Sequence, residues 1–297
     1  MRTYATPAAF KEALEARLRK QARAEQQDMN RLRTRLVMDR LAARIGEQLP
    51  TDVILKGGVV MELRLANARA TKDLDIHLHG QPARTLHAIK SASRAVGDDF
   101  LSFHIEDHPR HPHIEAEGLH YEGFRFRVQA LLAGKPYGGA FGLDAVFAEP
   151  FFGEPEALPG SDLLAFIGIP TPVHRVYPVL THIAEKLHAY TQPRARPNSR
   201  VKDLPDLALL ASADPYRSEA VLKAIEVTYQ HRSTHERPQH LPTPPQAWTG
   251  PYQRMAKRDH LPWQSLDEVF VAAARFLNPV LDGQPGQWNP GSWSWEQ

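Results

Sequence analysis

Apolar and polar residues alternate strictly from Leu74 to Leu78, which predicts a strand with two unlike faces. Leu74, Ile76 and Leu78 point one way, and Asp73, Asp75, His77 and His79 point the other. Upstream, the short apolar run Asp52-Val53-Ile54-Leu55 predicts another strand. It leads through Lys56 into Gly57-Gly58, a tight turn where backbone can approach a ligand closely. Val59, Val60 and Leu63 then fall at neighbouring helical positions, predicting a short helix over 59–65.

The same reading extends along the chain. Thr6-Pro7 has the form of a helix start, with Thr as cap and Pro at the first helical position. Phe10, Leu14 and Leu18 share a face, and Leu32, Leu36, Leu41, Ile45 and Leu49 nearly do. Two helices are predicted up to Gln48, with a bend near Asp28-Met29-Asn30. A helix over 82–96 turns Leu86, Ile89 and Ala92 inward. Strands are predicted at 100–106, 121–132 and 140–148, with a turn at 134–139. Residues 149–160 read as a loop between lobes. Helices follow at 179–190, from Ser199, at 218–230 and at 266–277. The proline-rich stretch 231–250 reads as a linker extended on the surface, with the chain re-entering the fold around Trp248. The tail from Asp282, rich in Gly, Pro and Trp, receives no element. The expectation is an α+β protein of two lobes. Residues 1–160 form a mixed sheet with flanking helices, and 161–297 form a mostly helical lobe that completes a cleft.

Composition narrows the classes. The 297 residues are 42% hydrophobic and 24% charged, ordinary for a globular protein. No apolar run approaches a membrane span, and the N-terminal stretch lacks a signal-peptide core, so a cytoplasmic location is expected. With no Cys, disulfides and thiolate metal sites are excluded. A net charge of +2 and a pI near 8.8 permit a nucleic-acid partner without requiring one. Arg31, Arg33, Arg35, Arg40 and Arg44 read as the solvated face of an amphipathic helix. His108, His111 and His113 lie close together, but their spacing matches no standard zinc motif, so that segment reads as a loop.

The chemistry gathers around the first two strands. Asp73 and Asp75 stand side by side on one strand face and repel each other. A hard cation removes that conflict, and carboxylate oxygen is what magnesium prefers. A glycine turn feeding a helix N-terminus supplies N–H groups and a positive dipole end for a phosphate. A phosphate cradle about fifteen residues from a carboxylate pair is equipment for transferring a phosphorus-centred group. Asp144, between apolar neighbours in FGLDAVF, is costly to bury alone. It either shares the metal site of Asp73 and Asp75 or bonds to a backbone turn. Asp203 and Asp206 are three apart on a predicted helix and share a face. With Lys202, they are also explained by complementation of the helix dipole.

The order strand, GG, helix, a loop with Arg69 and Thr71, then a D-x-D strand resembles the nucleotidyltransferase core of the polymerase-beta-like superfamily. With IAEKLHAYT, a Pro and Arg loop and NSRVKDLPDL added, the chain resembles the AbiEii/AbiGii toxin family of nucleotidyltransferases over roughly residues 50 to 280. The resemblance implies that Lys56, Gly57, Gly58 and Thr71 belong to the nucleotide site. It implies Asp73 and Asp75 as the metal-binding pair and Asp144, on the neighbouring strand, as a third carboxylate. Lys186 matches the lysine of the E-K motif expected at the triphosphate. Lys202, Asp203 and Asp206 match the K-D-x-x-D motif, and the catalytic set becomes Asp73, Asp75, Lys186 and Asp203. Two departures are Val59, where the family often has Ser or Thr, and Pro205 inside the last motif.

The implied reaction is attack of a hydroxyl on the α-phosphate of an NTP, with Mg²⁺ and loss of pyrophosphate. The implied acceptor is the 3′ end of a tRNA, and the implied partner is a cognate antitoxin. Transfer of NMP or phosphate to a protein hydroxyl, or non-catalytic nucleotide or RNA binding, are the alternatives. Arg194, Arg196 and Arg200 in the loop before the K-D-x-x-D motif are the candidate RNA contacts.

Overall fold

The computed structural model describes residues 4–65, 68–94, 97–114, 123–147, 150–193 and 200–297. Two helices open the chain, α1 (Pro7–Glu25) and α2 (Met29–Gln48), capped by Thr6 and Asp28 side chains. Strand β1 (Val53–Lys56) runs directly into α3 (Gly57–Arg64), followed by β2 (Asp73–Leu78) and α4 (Pro82–Arg94). Then come β3 (Leu101–Asp107), β4 (Gly123–Leu132), the short β5 (Lys135–Pro136) and β6 (Phe141–Phe147). Two more strands, β7 (Glu156–Pro159) and β8 (Val173–Val176), complete one eight-stranded mixed sheet. Its order is β3-β4-β6-β2-β1-β8-β7, with β5 paired to β4.

The sheet lobe therefore runs to Val176, not to residue 160. Strand β8 pairs parallel with β1 and antiparallel with β7, and Leu164 and Val176 lie in the same core as Leu74 and Ile76. The remaining elements are α5 (Val179–Thr191), α6 (Asp203–Ala211), α7 (Ser218–Arg232), α8 (Thr249–Asp259), α9 (Leu266–Leu281) and the hairpin β9 (Gln287–Asn289) and β10 (Ser294–Glu296). They share a second core, into which Met61 and Ala68 of the sheet lobe project.

The alternation in β2 places Leu74, Ile76 and Leu78 in the core beneath α1, α2 and α4 and leaves the other face to the cleft. Three expectations change. The arginines of α2 are not a solvated face. Arg40 and Arg44 are buried and both bind Asp99, with Arg40 Nε donating to Oδ2 at 3.0 Å. Arg33 forks onto Glu15, and Arg31 donates to the carbonyl of Ala68 at 2.8 Å. The stretch 231–250 is not extended on the surface throughout: Leu241 is buried and Tyr190 donates to the carbonyl of Pro242, while Trp248 re-enters the core as expected. The tail is a built hairpin around Trp288, whose indole N–H donates to Ala211 O at 2.7 Å. Aromatic area on Phe276, Trp288, Trp293 and Trp295 anchors that hairpin to α9. Pro205 is the third residue of α6, within the first turn, where a missing N–H costs no helical bond.

Candidate active site

Strand pairing builds a row of charge across the sheet. Lys56 of β1 stands opposite Asp75 of β2, Asp75 opposite Asp144 of β6, and Asp144 opposite Arg125 of β4. Residues in register share a face, so the row reads plus, minus, minus, plus. Asp73 lies two residues from Asp75 on the same face, opposite Gly142. A Cβ on Gly142 would sit 2.6 Å from Asp73 Oδ1, so the glycine makes the room that carboxylate uses.

The glycine turn closes on this row. Gly57 has φ +69°, a left-handed conformation open to glycine, and a Cβ there would lie 1.9 Å from Asp75 Oδ2. A Cβ on Gly58 would lie 2.5 Å from Thr71 Oγ1. The pair thus lets the strand carrying Asp75 and the loop carrying Thr71 pack against the start of α3. Glu62, on α3, accepts the Thr71 N–H at 2.7 Å and fixes that loop.

The electrostatics of the row test its fit to magnesium. Burial, then Asp144 and Asp73, push the Asp75 carboxyl up to about 6, against the opposing pull of Lys56 and Lys186. A carboxylate pair crowded until one proton is nearly retained suits a hard dication, which takes one or two carboxylates and fills its remaining positions with phosphate oxygen and water. Asp73 and Asp75 fit that description. Asp144 has another partner: Arg125 donates to its two oxygens at 2.8 and 2.6 Å. Asp144 is therefore held by a guanidinium on the neighbouring strand rather than by a backbone turn. Among the described residues no group of three or more His, Asp or Glu is arranged to hold an ion.

Across the cleft, α5 and α6 carry a second charged cluster. Lys186 Nζ donates to Asp206 Oδ2 at 2.7 Å and to Asp203 Oδ1 at 3.2 Å. Arg69, from the loop before β2, forks onto the same Asp206 at 2.9 Å through each nitrogen. Burial works against the Asp206 charge, but Lys186 and Arg69 outweigh it and hold the carboxyl well below the usual range. Burial likewise opposes the Lys186 ammonium, and Asp206 and Asp203 hold it up. Lys186 thus reaches the site as a member of a compensated cluster that ties the lobes together. Lys202, half-buried at the start of α6, has its pKa lowered by burial and by Arg69 and Lys186.

Lys56 is held by Glu185 Oε1 at 3.4 Å, and Arg232 of α7 donates to the same oxygen at 3.0 Å. So Glu185 and Lys186, adjacent on α5, serve different partners. His182, one turn before Lys186, is buried, and its ring nitrogens have no hydrogen-bond partner among the described residues. Burial, then Lys186, push it down to about 3, so it stands as neutral imidazole. Arg125 and Arg127 had a signal, the alternation GFRFRV that sets them on one face. Which strand they pair with is not readable from that alternation. Arg200 lies 3.7 Å from Asp203, while Arg194 and Arg196 lie outside the described residues.

One known structure shares this architecture. The structure of MenT4, a nucleotidyltransferase toxin of Mycobacterium tuberculosis, superposes with a TM-score of 0.60 at 14% identity, over 98% of this chain and 93% of that one. Two Helicobacter pylori structures align less closely, each at 16% identity over 84% of this chain. One covers 96% of its own chain at a TM-score of 0.49, and the other, JHP933, covers 92% at 0.47. Curated proteins give no match. The family model described as nucleotidyl transferase AbiEii toxin, Type IV TA system, matches residues 40–272. That match spans most of the length and contains both the charged row and the Lys186 cluster, and the chain belongs to the AbiEii family of nucleotidyltransferase toxins.

Proposed function

We propose that this protein transfers an NMP from an NTP to an acceptor hydroxyl, in the cleft between Asp75 and Lys186. The observation that carries the reading is the state of Asp75. It is crowded by two acids, raised to about 6, and placed against a glycine turn whose N–H groups suit a phosphate. Asp73 and Asp75 would hold Mg²⁺, which when bound lowers the pKa of an attacking hydroxyl and offsets developing charge. Gly57, Gly58 and Thr71 shape the turn that takes the phosphates, and Lys56 adds charge beside it. Lys186 and Lys202 supply point charges for the β and γ phosphates from the other lobe. Asp203 and Asp206 hold Lys186 in position.

The acceptor in this reading is the 3′ end of a tRNA, so that the toxin blocks translation until a cognate antitoxin neutralises it. No helix among the described residues is long and apolar enough to cross a membrane. Incubation with each α- and γ-labelled NTP and total cellular RNA tests this. Label from the α position is expected in small RNA. Label from the γ position would instead mark phosphoryl transfer, label in protein would mark a protein acceptor, and no transfer would leave only binding.

A further inference from the structure

We propose that a cavity beside Asp73 seats an unpaired nucleobase of the acceptor strand, with the adjoining phosphate on a basic groove next to it. The proposal rests on the transferase reading above and names the chemistry its acceptor must have. The cavity, about 360 Å³, lies between α2, α3 and the loop that ends at Lys72. The groove, about 520 Å³, runs over the cleft face of β4 and β6 and is lined by Arg125, Arg127 and Asp73. The two share Lys72 and Ala140, so they are neighbouring compartments that meet at the residue before Asp73.

Their chemistry differs as the two halves of a nucleotide differ. The groove presents the exposed cations Lys72 and Arg127, which suit a backbone phosphate. The cavity presents Met38, Val59 and Leu63, apolar surface of the kind a base ring covers. Its lining also includes Asn30, Thr34 and Thr71, whose side chains carry donors and acceptors of the kind a base edge pairs with. A phosphate would meet Asp39 and Glu62. The incoming NTP is a poorer occupant, because the cavity lining contains no residue of the helical lobe that holds Lys186 and Lys202.

The test uses a 5′-fluorescent single-stranded RNA hexamer ending in adenosine and the same hexamer with an abasic 3′ ribose, followed by anisotropy at several salt concentrations. The wild-type protein is expected to bind the base-bearing RNA about tenfold more tightly. Leu63→Trp fills the cavity from a half-exposed position and is expected to erase that difference. Ala140→Phe, at the exposed rim, gives the same result if Leu63→Trp does not fold. Lys72→Ala is expected to weaken both RNAs alike and to flatten the salt dependence. Equal binding of the two RNAs by wild type overturns the proposal. So does a folded Ala140→Phe protein that keeps the difference, or competition of the base-dependent part by NTP alone. The parent reading fails on its own evidence: RNA labelled from α-NTP without base discrimination sinks only the cavity, whereas label found solely in protein sinks the RNA acceptor.

Discussion

The two walls of the cleft are made of the same side chains and are electrostatic opposites. On the sheet, Asp73, Asp75 and Asp144 share one guanidinium, Arg125, and a lysine, Lys56, that is also bound to Glu185. On the helical side, Asp203 and Asp206 face Lys186, Arg200 and, from the loop before β2, Arg69, so each acid has cations beside it, with Asp206 fully buried. The result is a carboxyl pushed up to about 6 on one wall and one held well below the usual range on the other. Paired burial makes a girder between lobes; unpaired crowding makes a place that gains by binding a cation.

The largest expected effect is at Asp75. Asp75→Asn should reduce transfer about a thousandfold, since it removes a ligand from a site whose metal is worth several kcal/mol. The same change should raise the melting temperature of the metal-free protein. The folded pKa, about 6, lies above the ordinary aspartate value of 3.8, so ionisation opposes folding. The penalty is fully present above about 6 and fades as pH falls towards 4. It amounts to at most about 3 kcal/mol. Calorimetry across that window without metal checks the sign, and a variant less stable than wild type at pH 8 would refute the assignment of unrelieved repulsion.

The other wall should respond in the opposite sense. Lys186→Met leaves Asp203 and Asp206 short of a buried cation and is expected to cost about 3–5 kcal/mol of stability as well as activity. An unchanged denaturation midpoint would break the contrast and return Lys186 to the triphosphate alone. The comparison also corrects a simple motif reading, in which Lys186 acts only as a phosphate contact.

What was legible in the sequence was local. The period-2 alternation of Leu74, Ile76 and Leu78 placed Asp73 and Asp75 on the cleft face, and the glycine pair marked the close approach to them. The three-residue spacing of Asp203 and Asp206 gave their common face, which proves to be the one that meets Lys186. What was not legible depends on pairings between distant segments. Arg125 reaches Asp144 only because β4 and β6 adopt one register, and a slip of one residue would turn Arg125 away. Arg40 and Arg44 read as solvated because Asp99, their partner, lies on another element. The Trp288 hairpin went unread because its order comes from docking on α9 and α6 rather than from periodicity, whereas α8 did carry a helical signal in Tyr252, Met255 and Ala256.

A smaller effect is expected at the turn. Gly57→Ala must hold φ +69° with a Cβ inside the van der Waals radius of Asp75 Oδ2. The backbone cost is about 1–2 kcal/mol, and displacement of Asp75 should add a loss of transfer. Gly58→Val meets Thr71 instead, so it should disturb the loop rather than the carboxylate directly. If Gly57→Ala melts like wild type and transfers normally, the turn does not set the position of Asp75.

The smallest and most discriminating change is Arg125→Gln. The pair it removes is partly exposed, with side chains 37% and 18% accessible, so the stability cost should stay within about 1 kcal/mol. Its effect on Asp75 should be larger than its effect on folding. Without Arg125, Asp144 keeps its charge beside Asp75 with no guanidinium on its far side, so the Asp75 carboxyl should rise further above about 6. The acid limb of the transfer profile should then move to higher pH, while the alkaline limb stays in place. Two outcomes separate the roles of Asp144. If added Mg²⁺ restores the wild-type limb, the freed Asp144 joins the carboxylate pair in holding the ion. If the limb stays shifted at every Mg²⁺ concentration, Asp144 acts on Asp75 through charge alone. An unshifted limb in metal-limited buffer would mean that the row Lys56, Asp75, Asp144, Arg125 is not electrostatically coupled.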